Sequence, residues 1–172
     1  MTSTNQQATP PQVIEIEAVE ALLGRNQRMM GVDLGTKTIG LALSDVERRI
    51  GTPLETLRRV KFTTDVELLR GFLDRYDVAV LVMGLPLNMD GSEGPRVQST
   101  RAFVRQSMPL LGRPYVYWDE RLSTAAVTRV LIDQDASRAR RRDVVDRMAA
   151  AYILQGALDR MASLRRQSQI ST

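Results

Sequence analysis

A carboxylate set into an apolar run constrains this chain more than any other feature. Residues 30–45, Met-Gly-Val-Asp-Leu-Gly-Thr-Lys-Thr-Ile-Gly-Leu-Ala-Leu-Ser-Asp, hold most of two apolar segments, 29–32 and 39–43, around a turn with Gly35, Thr36, Lys37 and Thr38. The pattern predicts a β-hairpin whose first strand is apolar enough to lie centrally in a sheet. Asp33 ends that strand, where an unpaired buried charge is expensive. Either it is a turn aspartate capping its own loop, or its carboxylate meets a metal ion or a strong donor. The nearby glycines open the backbone and favour the second reading.

The chemical tools are few. The 172 residues contain no cysteine and no histidine. This excludes disulfides, thiolate sites, Ser-His-Asp and Cys-His catalysis, and ordinary zinc sites. Carboxylates, lysine, hydroxyls and hard cations bound through oxygen remain. The net charge of +4 and pI of about 9.9 suit a polyanionic partner. The length suits one domain with a real core. No signal peptide or membrane span is visible, so a cytoplasmic protein with no membrane partner is expected.

Along the chain, residues 1–27 read as an extension, with the polar stretch 1–12 expected to be disordered and 13–24 a short helix packed on the domain. A domain over 28–165 follows, and 166–172 reads as a flexible tail. After the hairpin, 50–60 predicts a third antiparallel strand. Thr64 and Glu67 fit a capping box opening a helix through Phe72 and Leu73. The continuous apolar run 78–83 predicts a buried parallel strand, 84–94 a loop, 95–111 a helix and 115–118 a strand ending at Asp119-Glu120-Arg121. Tyr117 and Trp118 alternate there, so at least one should be core. Ser123 can cap a helix to about 133, 135–142 reads as a basic loop, and a last helix covers 143–165. The order β-β-β-α-β-α-β-α-α predicts an α/β fold, a five-stranded mixed sheet flanked by helices.

Three acids occupy suggestive places. Asp33 and Glu120 follow strands, and ligands in open α/β sheets gather beyond strand ends. Asp146 shares its helical face with Ala149, Ala150 and Ile153, small or apolar residues that would let the helix approach the sheet. Asp143, three residues earlier, reads instead as a helix cap or dipole partner. Three converging carboxylates repel unless divalent cations lie between them. Such a cluster suits two-metal phosphodiester hydrolysis, in which one ion activates water and the other stabilises the leaving oxygen. Singly, each acid also fits an ordinary role: Glu120 paired with Arg121, or Asp146 with Arg142 or Arg147. Asn88, Ser92 and the glycine amides of loop 84–94 could bind phosphate oxygens, as could Lys37. Arg121 and the run Arg138, Arg140, Arg141 and Arg142 are further candidates for a nucleic-acid backbone.

Val32-Asp33-Leu34-Gly35-Thr36-Lys37-Thr38-Ile39-Gly40, then Gly84-Leu85-Pro86-Leu87-Asn88-Met89-Asp90-Gly91, then Asp119-Glu120-Arg121-Leu122-Ser123-Thr124, then Val145-Asp146 before Ala149-Ala150 closely resemble the YqgF family, also called RuvX. The motifs fall in that family's order from residue 29 to about 160. The resemblance implies an RNase H-like fold and an acidic metal-binding triad at Asp33, Glu120 and Asp146, served by Mg²⁺ or Mn²⁺. It implies a nuclease processing the 5′ end of precursor 16S ribosomal RNA, or a Holliday-junction resolvase acting on branched DNA. A monomer or a homodimer fits, since a resolvase on a symmetric junction needs a two-fold dimer. A catalytically silent nucleic-acid-binding module is a further alternative. The hairpin also resembles the phosphate loop of actin-like ATPases and sugar kinases, but 172 residues are too few for their two lobes.

Overall fold

The computed structural model describes residues 11–122 and 138–171, with side chains in the second stretch from Asp146 onward. In chain order the elements are α1 (Ile16–Leu22), β1 (Arg28–Leu34), β2 (Thr38–Ser44), β3 (Gly51–Arg58), α2 (Phe62–Arg75), β4 (Val78–Leu85), α3 (Pro95–Leu111), β5 (Tyr115–Asp119), a 3₁₀ turn (Glu120–Leu122) and α4 (Arg138–Ile170).

The strands form one sheet in the order β3-β2-β1-β4-β5. β1 pairs antiparallel with β2 and parallel with β4, which pairs parallel with β5. The apolar hairpin strand is therefore central, as its composition predicts. Every β1 residue from Met29 to Leu34 is buried. Each sheet face has its own core. Val66, Leu69 and Leu73 of α2 and Phe103 and Val104 of α3 pack on Val32, Leu34 and Met83. On the other face Val19 of α1 and Ala150, Ile153, Leu154 and Leu158 of α4 pack on Met29, Val80 and Val82. Tyr117 packs against the first core and Trp118 against the second, so both are structural. Among the described residues no helix is long and apolar enough to cross a membrane.

Helix boundaries depart from the sequence reading in three places. α2 starts at Phe62, with Lys61 at its N-cap and no side-chain cap. Thr64 and Glu67 thus form no capping box. Asp65 instead accepts the Val60 N–H at 3.1 Å, two residues before the helix, and stays 2% exposed. α4 starts at Arg138, inside the segment read as a basic loop. Arginine and alanine are good helix formers, and like-charge pairs on a helix cost only tenths of a kcal/mol each, so the arginine run does not break the helix. Asp143 therefore lies five residues inside α4 and is not its cap. The helix continues through Ile170, past the expected end at 165. Arg165 there forks onto Glu20 of α1 at 2.8 and 3.0 Å, which gives the last turns a partner. The helix expected after Ser123 lies outside the described residues, as does most of the stretch 1–12 expected to be disordered; its end is placed, with the Gln12 carbonyl accepting the Tyr115 N–H at 3.2 Å.

The position of α4 depends on residues without side chains. A Cβ on Gly31, in the centre of β1, would lie 2.5 Å from the Ala150 carbonyl oxygen and 2.7 Å from the Leu154 Cβ. Ala149 and Ala150 are fully or almost fully buried against the sheet. Glycine below and alanine above bring helix and strand closer than larger side chains permit. Neither obstacle to a Cβ on Gly31 is a flexible chain end, so Gly31→Ala must push α4 outward. We expect a loss of about 1–3 kcal/mol in urea unfolding, and an unchanged midpoint would contradict this packing.

Candidate active site

Asp33 is 2% exposed on β1, next to its end. Its register partner on β2 is Gly40. On β4, Met83 pairs with Val32, which brings Gly84 to the level of Asp33. The carboxylate thus has a glycine on each neighbouring strand, and each glycine lies under another acid. A Cβ on Gly40 would collide with the main-chain carbonyl of Asp146 and lie 3.1 Å from its Cβ. A Cβ on Gly84 would meet Oε1 of Glu120 at 2.7 Å and collide with the Ile153 side chain. β1, the 3₁₀ turn after β5, and α4 therefore deliver Asp33, Glu120 and Asp146 to one end of one sheet face.

Each acid is held differently. Glu120 opens the 3₁₀ turn and is 8% exposed. Asp146, half-buried, accepts a short hydrogen bond at Oδ2 from the Thr38 hydroxyl, which starts β2. Thr38 is itself 9% exposed. Among the described residues no group of three acidic side chains stands within ligating reach of one common point. Bare carboxylates repel, and here Asp146 turns to a hydroxyl donor.

The other predicted contacts divide. Lys37 is exposed at the hairpin turn beside the acids. Asn88 and Ser92 bind each other. The Asn88 amide donates to Ser92 Oγ at 2.9 Å, its N–H donates to the Ser92 carbonyl at 3.0 Å, and Ser92 Oγ donates to Asp90 at 2.6 Å. These groups set the loop's shape. Arg121 forks onto Asp119 at 2.7 and 3.0 Å and reaches the Met89 carbonyl at 3.3 Å. It ties the 3₁₀ turn that carries Glu120 to loop 88–92. The Arg121 guanidinium also holds the Asp119 carboxyl below the usual carboxylate range. A carboxylate with a depressed pKa loses its stabilising charge only as pH falls through that lowered value, so this clamp stays intact across neutral pH. Arg140 and Arg141 lie in the first turn of α4, and their side chains fall outside the described part.

Sequence reasoning missed Thr38, Gly40, Gly84 and the Asp119–Arg121 clamp. The glycines carried a usable signal. Gly31 and Asp33 share one strand face by two-residue alternation, and Gly40 is fixed opposite Asp33 by the hairpin register.

Residues 27–160 match the family model described as "RuvX: Holliday junction resolvase". A protein of Beijerinckia indica subsp. indica named "Putative pre-16S rRNA nuclease" is 67% identical over 150 residues, covering 87% of this chain and 91% of that one. A protein of Paramagnetospirillum magneticum with the same name is 61% identical over 139 residues, covering 81% and 90%. Thermus thermophilus RuvC, solved in complex with a Holliday junction substrate, superposes with a TM-score of 0.50 at 15% identity, covering 79% of this chain and 96% of that one. At that identity the likeness concerns the fold, which is the RNase H-like mixed sheet with flanking helices. A family match over most of the chain, with high identity along nearly the whole length of these relatives, places this protein in the RuvX family.

Proposed function

We propose that this chain is a nuclease that hydrolyses phosphodiester bonds of structured nucleic acid with a divalent cation, Mg²⁺ or Mn²⁺, and that its substrate is the 5′ region of precursor 16S ribosomal RNA. The observation that carries the reading is the delivery of Asp33, Glu120 and Asp146 to one sheet end over two glycines. The names of the relatives supply the substrate. The family description favours a second reading, cleavage of a four-way DNA junction. Cleavage of precursor rRNA, duplex DNA and a four-way junction, side by side, separates the two.

The residues fit a hard cation. The donor set is carboxylate oxygen with no nitrogen or sulfur ligand, which suits Mg²⁺ and Mn²⁺. Gly40 and Gly84 leave out the two Cβ atoms that would push Asp146 and Glu120 away from the sheet end that carries Asp33. Asp33, Glu120 and Asp146 would hold the ions. Bound divalent cations supply the positive charge that phosphodiester hydrolysis needs at the attacking and leaving oxygens.

The chain's own contribution is position. Asp33 is fixed by a central strand paired on both sides. Thr38 orients Asp146 through its hydroxyl. The Asp119–Arg121 pair fixes the turn that carries Glu120, and with it the loop beside the site. Lys37 and the arginines at the start of α4 bring positive charge for the nucleic-acid backbone.

Asp33→Asn, Glu120→Gln and Asp146→Asn should each abolish metal-dependent cleavage while the protein stays folded, and chelation should do the same to the wild type. Wild-type rates in any of the three variants would refute the assignment. Asp143→Asn should leave cleavage intact, since Asp143 is not one of the three.

Thr38→Val removes the donor to Asp146 at nearly constant volume. Partners that orient a metal ligand are typically worth about 10- to 100-fold in activity or metal affinity. A fall of that size in cleavage at limiting Mn²⁺, restored by Thr38→Ser, is expected. Wild-type activity in Thr38→Val would remove the role assigned to the hydroxyl.

Replacing Arg138, Arg140, Arg141 and Arg142 with serine should weaken binding and flatten the dependence of log K on log salt by roughly one unit per lost phosphate contact. An unchanged slope would show that the run only faces solvent.

A further inference from the structure

A second cleft opens on the opposite sheet face from the acids, one residue along β1. Its volume is about 190 Å³, and Leu34, Gly35, Thr36, Arg59, Arg96 and Ser99 contribute to its walls. Water occupies about 30 Å³ in the liquid, so the cleft has room for a phosphate group with some of its hydration.

Its walls are basic and partly preorganised. Among the described residues no acidic side chain lines the cleft. Arg59 is held at both ends of its guanidinium: Nη1 donates to the Gly35 carbonyl at 2.7 Å, and Nε stands 3.7 Å from the buried Asp65. Asp65 is fixed in turn by the Val60 N–H. Arg59 Nη2 makes no hydrogen bond among the described residues, so a fixed donor remains for a ligand. Across the cleft, Arg96 is exposed and forms no ion pair among the described residues. Arg101, on the same helix, is committed instead to Glu93 at 2.5 Å and to the Tyr117 ring. Two guanidinium groups, one rigid and one uncommitted, match the oxygen geometry of a phosphate better than any cation or neutral ligand.

The cleft's position gives this chemistry a use. Leu34 packs in the core on the α2–α3 side, while its neighbour Asp33 shares the α4 side with Asp146. The hairpin turn of Gly35, Thr36 and Lys37 lies at this end of the sheet, between β1 and β2. A polynucleotide strand lying across that turn would present one phosphate to the acids and another to the cleft.

We propose that the Arg59–Arg96 cleft binds a phosphate of the polynucleotide substrate flanking the bond to be cut. It thereby sets the register of the strand over Asp33. This rests on the nuclease reading for its substrate, but the binding claim can be tested without cleavage. The phosphate could be an internal diester or a terminal 5′-monophosphate. Both offer the same anionic oxygens.

The test uses Arg96→Gln, an exposed change that should leave the thermal midpoint unaltered, and Arg59→Lys, which keeps charge but loses the fork. Binding of a fluorescent RNA strand is followed by anisotropy without divalent cation, and cleavage is followed separately with Mn²⁺. Arg96→Gln should weaken binding about tenfold, as expected for a charged hydrogen bond, and lower the salt slope by about one. In cleavage KM should rise with kcat nearly unchanged. A series of RNAs, each with one internal phosphate replaced by neutral methylphosphonate, is bound beside strands with 5′-hydroxyl and 5′-monophosphate ends. Wild-type binding should fall at one flanking position or depend on the 5′-monophosphate, and that sensitivity should vanish in Arg96→Gln and shrink in Arg59→Lys. Which arm responds identifies the phosphate. Unchanged binding and salt slope in Arg96→Gln, or equal sensitivity in wild type and variant, would overturn the subsite while leaving the nuclease reading intact. A subsite that binds as described in a wild type cutting no nucleic acid would instead overturn the nuclease reading alone.

Discussion

The contact between α4 and the sheet sets everything else in this molecule. Gly31 and Gly40 lie directly beneath the backbone of the helix, at Ala150 and Asp146. A helix packed on ordinary side chains would stand farther off, and Asp146 would rise with it away from Asp33. The same approach buries Ile153, Leu154 and Leu158 against the sheet, so the apolar contact that stabilises the domain also locates the third acid. Stability and site geometry therefore share one set of residues, which leaves little freedom at the small positions.

Charge is managed around this contact by short-range donors. Asp146 has the Thr38 hydroxyl, Asp119 the Arg121 fork, and Asp65 the Val60 N–H beside Arg59. The acids proposed to hold cations are buried or half-buried, whereas Lys37 and Arg96 stay exposed nearby. That division suits a polyanionic substrate, with mobile positive charge outside for its backbone and fixed negative charge inside for the ions that meet the reacting phosphate.

Much of this was legible in the residues. The uninterrupted apolar runs of β1 and β4 predicted buried central strands, and the hairpin and the parallel order followed. Asp33 stood out because a carboxylate in such a run needs a reason. The alanine pair after Asp146 signalled an inward helical face. What was not legible has physical causes. The start of α4 was missed because a run of arginines looks like a loop, yet arginine propagates a helix well. The pairing of Asn88 with Ser92 was not legible because a turn's polar groups can satisfy one another, and only the three-dimensional arrangement shows which ones do. Thr38 as the partner of Asp146 depends on residues 108 apart in sequence, a contact that no local pattern encodes.

The central claim is that acids from three separate elements form one cation site at the sheet end. Its most direct test is the thermal unfolding midpoint with and without Mn²⁺, in the wild type and in the three single neutral variants. A cation bound only by the folded protein raises stability by RT ln(1 + [L]/Kd), about 2.7 kcal/mol at a concentration of 100 Kd. The account predicts a clear Mn²⁺-dependent rise in the wild type that is lost or sharply reduced in Asp33→Asn, Glu120→Gln and Asp146→Asn alike. A wild type indifferent to Mn²⁺, or a full rise surviving in any one of the three variants, would contradict it.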